Sequence, residues 1–178
     1  SEDDLAFLRG EREFYNTQLV EQPNGDYAKT IARQYFVDVF DFHFYTITPE
    51  AVAAIPPYEV DSSKHKNWPA PAYLPATYFN PGGGVPKMGV HWLDFTSPEL
   101  NGAPFTQTFI YGSYDGKVTF YEPMITEQFI LANPSFERAI PQPAKYQTTG
   151  YYPTKMRIAK INNITNIILE GFVLRQAS

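Results

Sequence analysis

The chain has 178 residues, 14 Lys+Arg against 19 Asp+Glu and a net charge of -5, with no basic block, so a nucleic-acid partner is not expected. Aromatic residues make up 16% and charged residues only 19%, the balance of a packed core rather than of a disordered chain, and no apolar run approaches the roughly 20 residues of a membrane helix. Cysteine is absent, which removes disulfides, thiolate nucleophiles and cysteine metal sites, so any metal must be held by His, Asp or Glu.

Residues 2–20 carry Leu5, Phe7, Leu8, Phe14, Tyr15 and Leu19 among charges and stop at Pro23-Asn24-Gly25, a narrow helical stripe. Residues 1–34 are therefore read as an N-terminal helical arm or linker, and residues 35–178 as a β domain. From Tyr35 to Thr46 the period becomes two: Phe40, Phe42 and Phe44 point one way, and Val39, Asp41, His43 and Tyr45 the other. Thr48-Pro49-Glu50 then supplies an N-cap, a first-turn proline and an acid for a short helix ending before Pro56-Pro57. Residues 56–87 are proline-dense and contain Gly82-Gly83-Gly84, which predicts a long irregular loop anchored by Trp68, Tyr73, Leu74, Tyr78 and Phe79.

Met88 to Leu93 reads as a short strand. Phe105 to Tyr114 and Lys117 to Glu122 flank Asp115-Gly116, the favoured pair of a two-residue type I′ turn. Uninterrupted pairing from that turn sets Ser113 against Val118, Tyr111 against Phe120 and Phe109 against Glu122, and places Phe109, Tyr111, Phe120 and Glu122 on one face. Thr126-Glu127 caps a short helix to about Leu131, and Pro134, Pro141 and Pro143 break up the following stretch. Tyr152 to Ile161 and Thr165 to Leu174 form a second hairpin around Asn162-Asn163. The fold class is mainly β: an antiparallel barrel or sandwich with short helices, one long Pro-rich loop and the helical arm.

Four runs, Phe40-Asp41-Phe42-His43-Phe44-Tyr45, Met88-Gly89-Val90-His91-Trp92, Phe109-Ile110-Tyr111-Gly112-Ser113-Tyr114-Asp115-Gly116-Lys117 and Glu122-Pro123-Met124-Ile125-Thr126, stand in this order. With Ile140-Pro141-Gln142-Pro143 and Gly150-Tyr151-Tyr152-Pro153-Thr154, they resemble a bacterial domain-of-unknown-function family. That family is typified by a thermophile protein under control of an envelope-stress sigma factor and its anti-sigma partner. The resemblance spans about residues 35 to 175 and implies a β fold, export and a ring-like homo-oligomer rather than a reaction. Two departures stand out. Val39 occupies a position where family members commonly carry a second His, and residues 1–34 replace a β-rich segment.

His43 shares a strand face with Asp41 and Tyr45, while His91 and Glu122 belong to two other strands. Two imidazoles and a carboxylate converging from neighbouring strands form a Zn, Mn or Fe ligand set of the cupin type, so His43, His91 and Glu122 are the candidate metal ligands. Asp41, Tyr45, Trp92 and Tyr111 complete the candidate ligand-binding group. The alternative is structural: Asp41 orients His43 through a hydrogen bond, and both satisfy buried polar groups beneath the Pro-rich loop. No serine stands in a nucleophile-elbow motif, and Gly82-Gly83-Gly84 lacks the Lys-Ser/Thr that follows a phosphate loop.

The functional expectation is an exported, periplasmic or extracellular, non-catalytic binding or assembly module that forms a homo-oligomer. Its alternative is a metal-dependent enzyme, or a barrel that binds a small molecule or sugar at the His/His/carboxylate site.

Overall fold

The computed structural model describes residues 39–178. The expected helical arm and its boundary at residue 34 lie outside them. Eleven strands are described: β1 Val39–Asp41, β2 Phe44–Tyr45, β3 Tyr78–Phe79, β4 Val90–Asp94, β5 Gln107–Tyr114, β6 Lys117–Thr126, β7 Ser135–Ala139, β8 Gly150–Tyr152, β9 Lys155–Ile161, β10 Ile164–Glu170 and β11 Val173–Arg175. Helices α1 Pro49–Ala53, α2 Ser63–Lys66 and α3 Glu127–Ala132 are short, and none is long and apolar enough to cross a membrane.

The main sheet runs β1-β6-β5-β4-β3, with β2 also paired to β6. A three-stranded sheet β10-β9-β7 and a ribbon β11-β8 complete the fold, and all paired strands are antiparallel. Met156 and Ile158 of β9 join Phe109, Tyr111, Tyr121, Ile125 and Trp92 of the main sheet in one buried cluster, so the architecture is sheet on sheet. The aromatic load of the sequence is spent here. Trp92 donates its indole N–H to Ser113 Oγ at 2.8 Å, and Tyr78 its hydroxyl to the Phe109 carbonyl at 2.5 Å, so both polar ends are satisfied inside the core.

The turn chemistry holds at both hairpins, with positive φ at Asp115 and Gly116 and at Asn162 and Asn163. The register beyond the first does not. Ser113 pairs with Val118 but Gly112 pairs with Phe120, Tyr111 with Tyr121 and Ile110 with Glu122, because Thr119 is an extra residue bulged out of β6. One inserted residue exchanges the two faces, so Tyr111 and Glu122 lie on opposite sides of the sheet.

Among the described residues, the strand expected from Tyr35 to Thr46 is two pieces, β1 and β2, interrupted at Phe42 and His43. The Pro-rich excursion carries α2, a 3-10 turn Pro71–Tyr73 and β3, and it is tied to the hairpin tip by Asp115 N–H to Lys64 O at 3.0 Å and Gly116 N–H to Asn67 O at 2.6 Å. Strand β7, between prolines, was not expected.

Candidate metal centre

The Glu122 face of the main sheet is built by register. Asp41 pairs with Met124 and Phe44 with Tyr121, so His43, between them, comes level with Glu122 on β6. His91 pairs with Gly112, whose other neighbour is Phe120. Strand alternation then aims His43, His91, Phe120 and Glu122 to one side, from three chain segments distant in sequence.

Glu122 is wholly buried, and its Oε2 lies 3.5 Å from His43 Nε2 and 3.3 Å from His91 Nε2. All three ligand atoms fall within 4.8 Å of one another. Oε1 has no hydrogen-bond partner among the described residues. Burial pushes the Glu122 carboxyl up, but the facing imidazoles, His43 foremost and then His91, outweigh it and hold the carboxyl below the ordinary range. The site therefore presents an ionised carboxylate inside the protein. Four-coordinate bonds of about 2.0 to 2.1 Å set neighbouring ligand atoms about 3.3 Å apart, the spacing of the two imidazole-carboxylate pairs here. The group could hold a divalent metal ion.

Aromatic rings fix the imidazoles. Phe120 lies 5.2 Å from both His43 and His91, and the Tyr45 ring stacks on His43 at 5.8 Å and 15°. Tyr45 is itself held by its hydroxyl, which donates to the Lys87 carbonyl at 3.1 Å. The His43 and His91 side chains keep 15% and 11% exposure while Glu122 has none, but both facing Nε2 atoms are buried, so the ligand atoms are enclosed by the protein.

Of the residues singled out in the sequence, His43, His91, Glu122 and Tyr45 are brought together. Asp41 is on the same side, one strand repeat from His43, but the carboxylate facing His43 Nε2 belongs to Glu122. Trp92 and Tyr111 pair with each other across β4 and β5 and point into the opposite core. Sequence reasoning put Phe120 on the face of Glu122 but missed Gly112 as its partner, because the bulge at Thr119 that aligns them leaves no mark on the hydrophobic pattern. It also missed His65, 1% exposed, set edge-on to Tyr58 and Tyr114 with Nε2 3.0 Å from the Pro56 carbonyl.

Comparison with known proteins adds partial matches. The family model described as "Phenylacetic acid catabolic protein" matches residues 1–50. One subunit of the 1,2-phenylacetyl-CoA epoxidase of Escherichia coli (strain K12) is 60% identical over 45 residues, 25% of this chain and 18% of that protein. A probable serine/threonine-protein kinase, samkB, of Dictyostelium discoideum is 34% identical over 95 residues, 53% of this chain and 15% of that protein. The chain thus spans less than a fifth of the length of either relative. No solved structure matches.

Proposed function

We propose that the β domain is a divalent-metal-binding module whose ion is held by His43, His91 and Glu122. The observation that carries this reading is the wholly buried Glu122 carboxylate, faced by two imidazole nitrogens at 3.5 and 3.3 Å. A buried charge is costly unless it is paired, and a divalent ion between the carboxylate and the two imidazoles would compensate it. Three protein ligands leave a coordination position open for water or a small ligand. Elemental analysis of tag-free full-length protein tests it: about one Zn, Mn or Fe per chain is expected, lost in Glu122→Gln. Protein that stays metal-free through incubation with each of these ions and dialysis would refute it.

A second reading has its own observation. Phe172, Val173 and Leu174 are consecutive and each at least 40% exposed at β11, an apolar run that favours association through this edge. With it we carry the exported homo-oligomer that the family resemblance implies. Light scattering coupled to size exclusion decides the assembly: a mass that stays at the monomer's 20.3 kDa at high concentration removes it.

A further inference from the structure

The opposite side of the main sheet carries a second concavity, a cleft of about 600 Å³. Its floor includes Tyr111 and Tyr121, and its walls include Tyr73, Tyr146 and Tyr152, with Tyr151 at 70% exposure on its rim. The walls are held before any ligand arrives. Gln147 accepts from Val118 N–H at 2.9 Å and donates to the Gly116 carbonyl at 2.6 Å, which clips the segment before β8 onto the first hairpin. Lys145 N–H donates to Ala72 O at 2.9 Å, tying the same segment to the 3-10 turn.

Most of the phenol groups are already committed. Tyr111 donates to Pro141 O at 2.6 Å, Tyr146 to Gln142 Oε1 at 2.8 Å, Tyr152 to Thr148 O at 2.7 Å and Tyr73 to Ser178 O at 3.2 Å. These hydroxyls orient rings rather than meet a ligand, which leaves a surface suited to flat apolar contact. The charge on the lining is one-sided. Among the described residues, Lys117 and Lys145 line the cleft, no Asp or Glu does, and neither lysine has an ion pair, in a chain whose net charge is -5. Asp115, two residues from Lys117, is held chiefly by Asn67 at 3.0 Å and Lys64 at 3.5 Å, with Lys117 a lesser electrostatic neighbour. Behind the wall the Arg175 guanidinium sits 5.5 Å over the Tyr146 ring, adding a third positive charge.

We infer that this cleft binds a flat aromatic carboxylate, its ring against the tyrosines and its anionic group at Lys117 and Lys145. Rigid aromatic walls contribute ring contact without an ordering cost, and positive charge from the lining lysines selects for the anion. Burial keeps Tyr111 and Tyr121 protonated, so the floor adds no competing negative charge. The site lies across the sheet from Glu122 and does not depend on the metal reading.

Calorimetric titration of the full-length chain with sodium 2-naphthoate and with its neutral analogue 2-naphthamide tests the inference. The acid is expected to bind saturably and about tenfold more tightly than the amide, a difference of about 1.4 kcal/mol. The double variant Lys117→Gln/Lys145→Gln, which changes only solvent-facing ends, should erase that preference, and Tyr151→Ala should weaken both compounds. Treatment with a metal chelator should leave both affinities unchanged, which separates this cleft from the metal centre. Equal binding of acid and amide, no saturable binding of the acid at millimolar concentration, or an unaltered preference in the lysine double variant overturns it.

Discussion

Gly112 and Phe120 are cross-strand partners in such close approach that a Cβ on Gly112 would overlap the Phe120 ring. The same ring underlies both His43 and His91. The missing side chain at residue 112 therefore sets the height of the floor on which the imidazoles rest. Gly112→Ala should cost about 1 to 3 kcal/mol through overpacking and tilt Phe120 into the histidines. Urea unfolding should show this loss, and the double variant Gly112→Ala/Phe120→Leu should recover part of it, because the smaller side chain makes room for the methyl group. Additive losses in the double variant would show that the ring does not transmit the strain.

The buried carboxylate makes the histidines unequal to ordinary core residues. His43→Ala removes the imidazole with the larger effect on Glu122 and leaves a wholly buried charge with one partner, which should cost about 3 kcal/mol. His43→Ala/Glu122→Leu removes the stranded charge as well and should be more stable than the single variant. In wild-type protein, a metal ion at a hundredfold excess over its dissociation constant should add about 2.7 kcal/mol to the unfolding free energy. Chelator should abolish that gain, and His43→Ala should not show it. Thermal melts with and without Zn, Mn and Fe check each of these outcomes.

The legible parts of this protein were those that announce themselves within a few residues. Asp115-Gly116 and Asn162-Asn163 need positive φ and mark their turns directly, and Thr48 and Thr126 cap the helices that follow them, each accepting a backbone N–H. The metal-ligating types were also visible, since His43, His91 and Glu122 each sit in a strand-like run. What joined them was not visible. The Thr119 bulge moves Glu122 from the side of Tyr111 to the side of Gly112, and a threonine between Val118 and Phe120 carries no sign of it. Strand β7 was hidden because its residues are exposed or half-buried, with Glu137 and Arg138 in the middle, so it has no apolar run for a pattern to find. His65 was hidden inside the proline-dense loop, between the charged Lys64 and Lys66, although its imidazole is buried.

His65 also explains one of the three consecutive glycines. A Cβ on Gly84 would collide with His65 Nδ1, so the glycine lets the loop close over an imidazole held between Tyr58 and Tyr114. Gly84→Ala should therefore cost about 1 to 3 kcal/mol and loosen residues 56–88 from the hairpin tip. Limited proteolysis should reveal new early cuts in that segment. Gly83→Ala, at a φ of 75°, tests backbone strain instead of overlap and should destabilise without favouring cleavage near His65.

Glu99 offers a test of electrostatics with the opposite sign from Glu122. It lies in the 3-10 turn Pro98–Asn101 at 6% exposure, and burial raises its carboxyl above the ordinary value despite the hydrogen bonds from its own backbone and from Ser97 and the pull of Arg138. Nearby Asp94 adds to the rise. The folded protein thus holds this proton more tightly than the unfolded chain does. Stability from this group is fully present below the unfolded value, about 4.3, and is lost as pH rises through the folded value. Ionised Glu99 is consequently a liability at neutral pH. Glu99→Gln keeps the shape and removes the titration, so its melting temperature should exceed that of the wild type at neutral pH and converge with it near about pH 3, where both side chains are uncharged. A variant less stable than wild type at neutral pH would mean that the carboxylate is held by its partners strongly enough to overcome its burial.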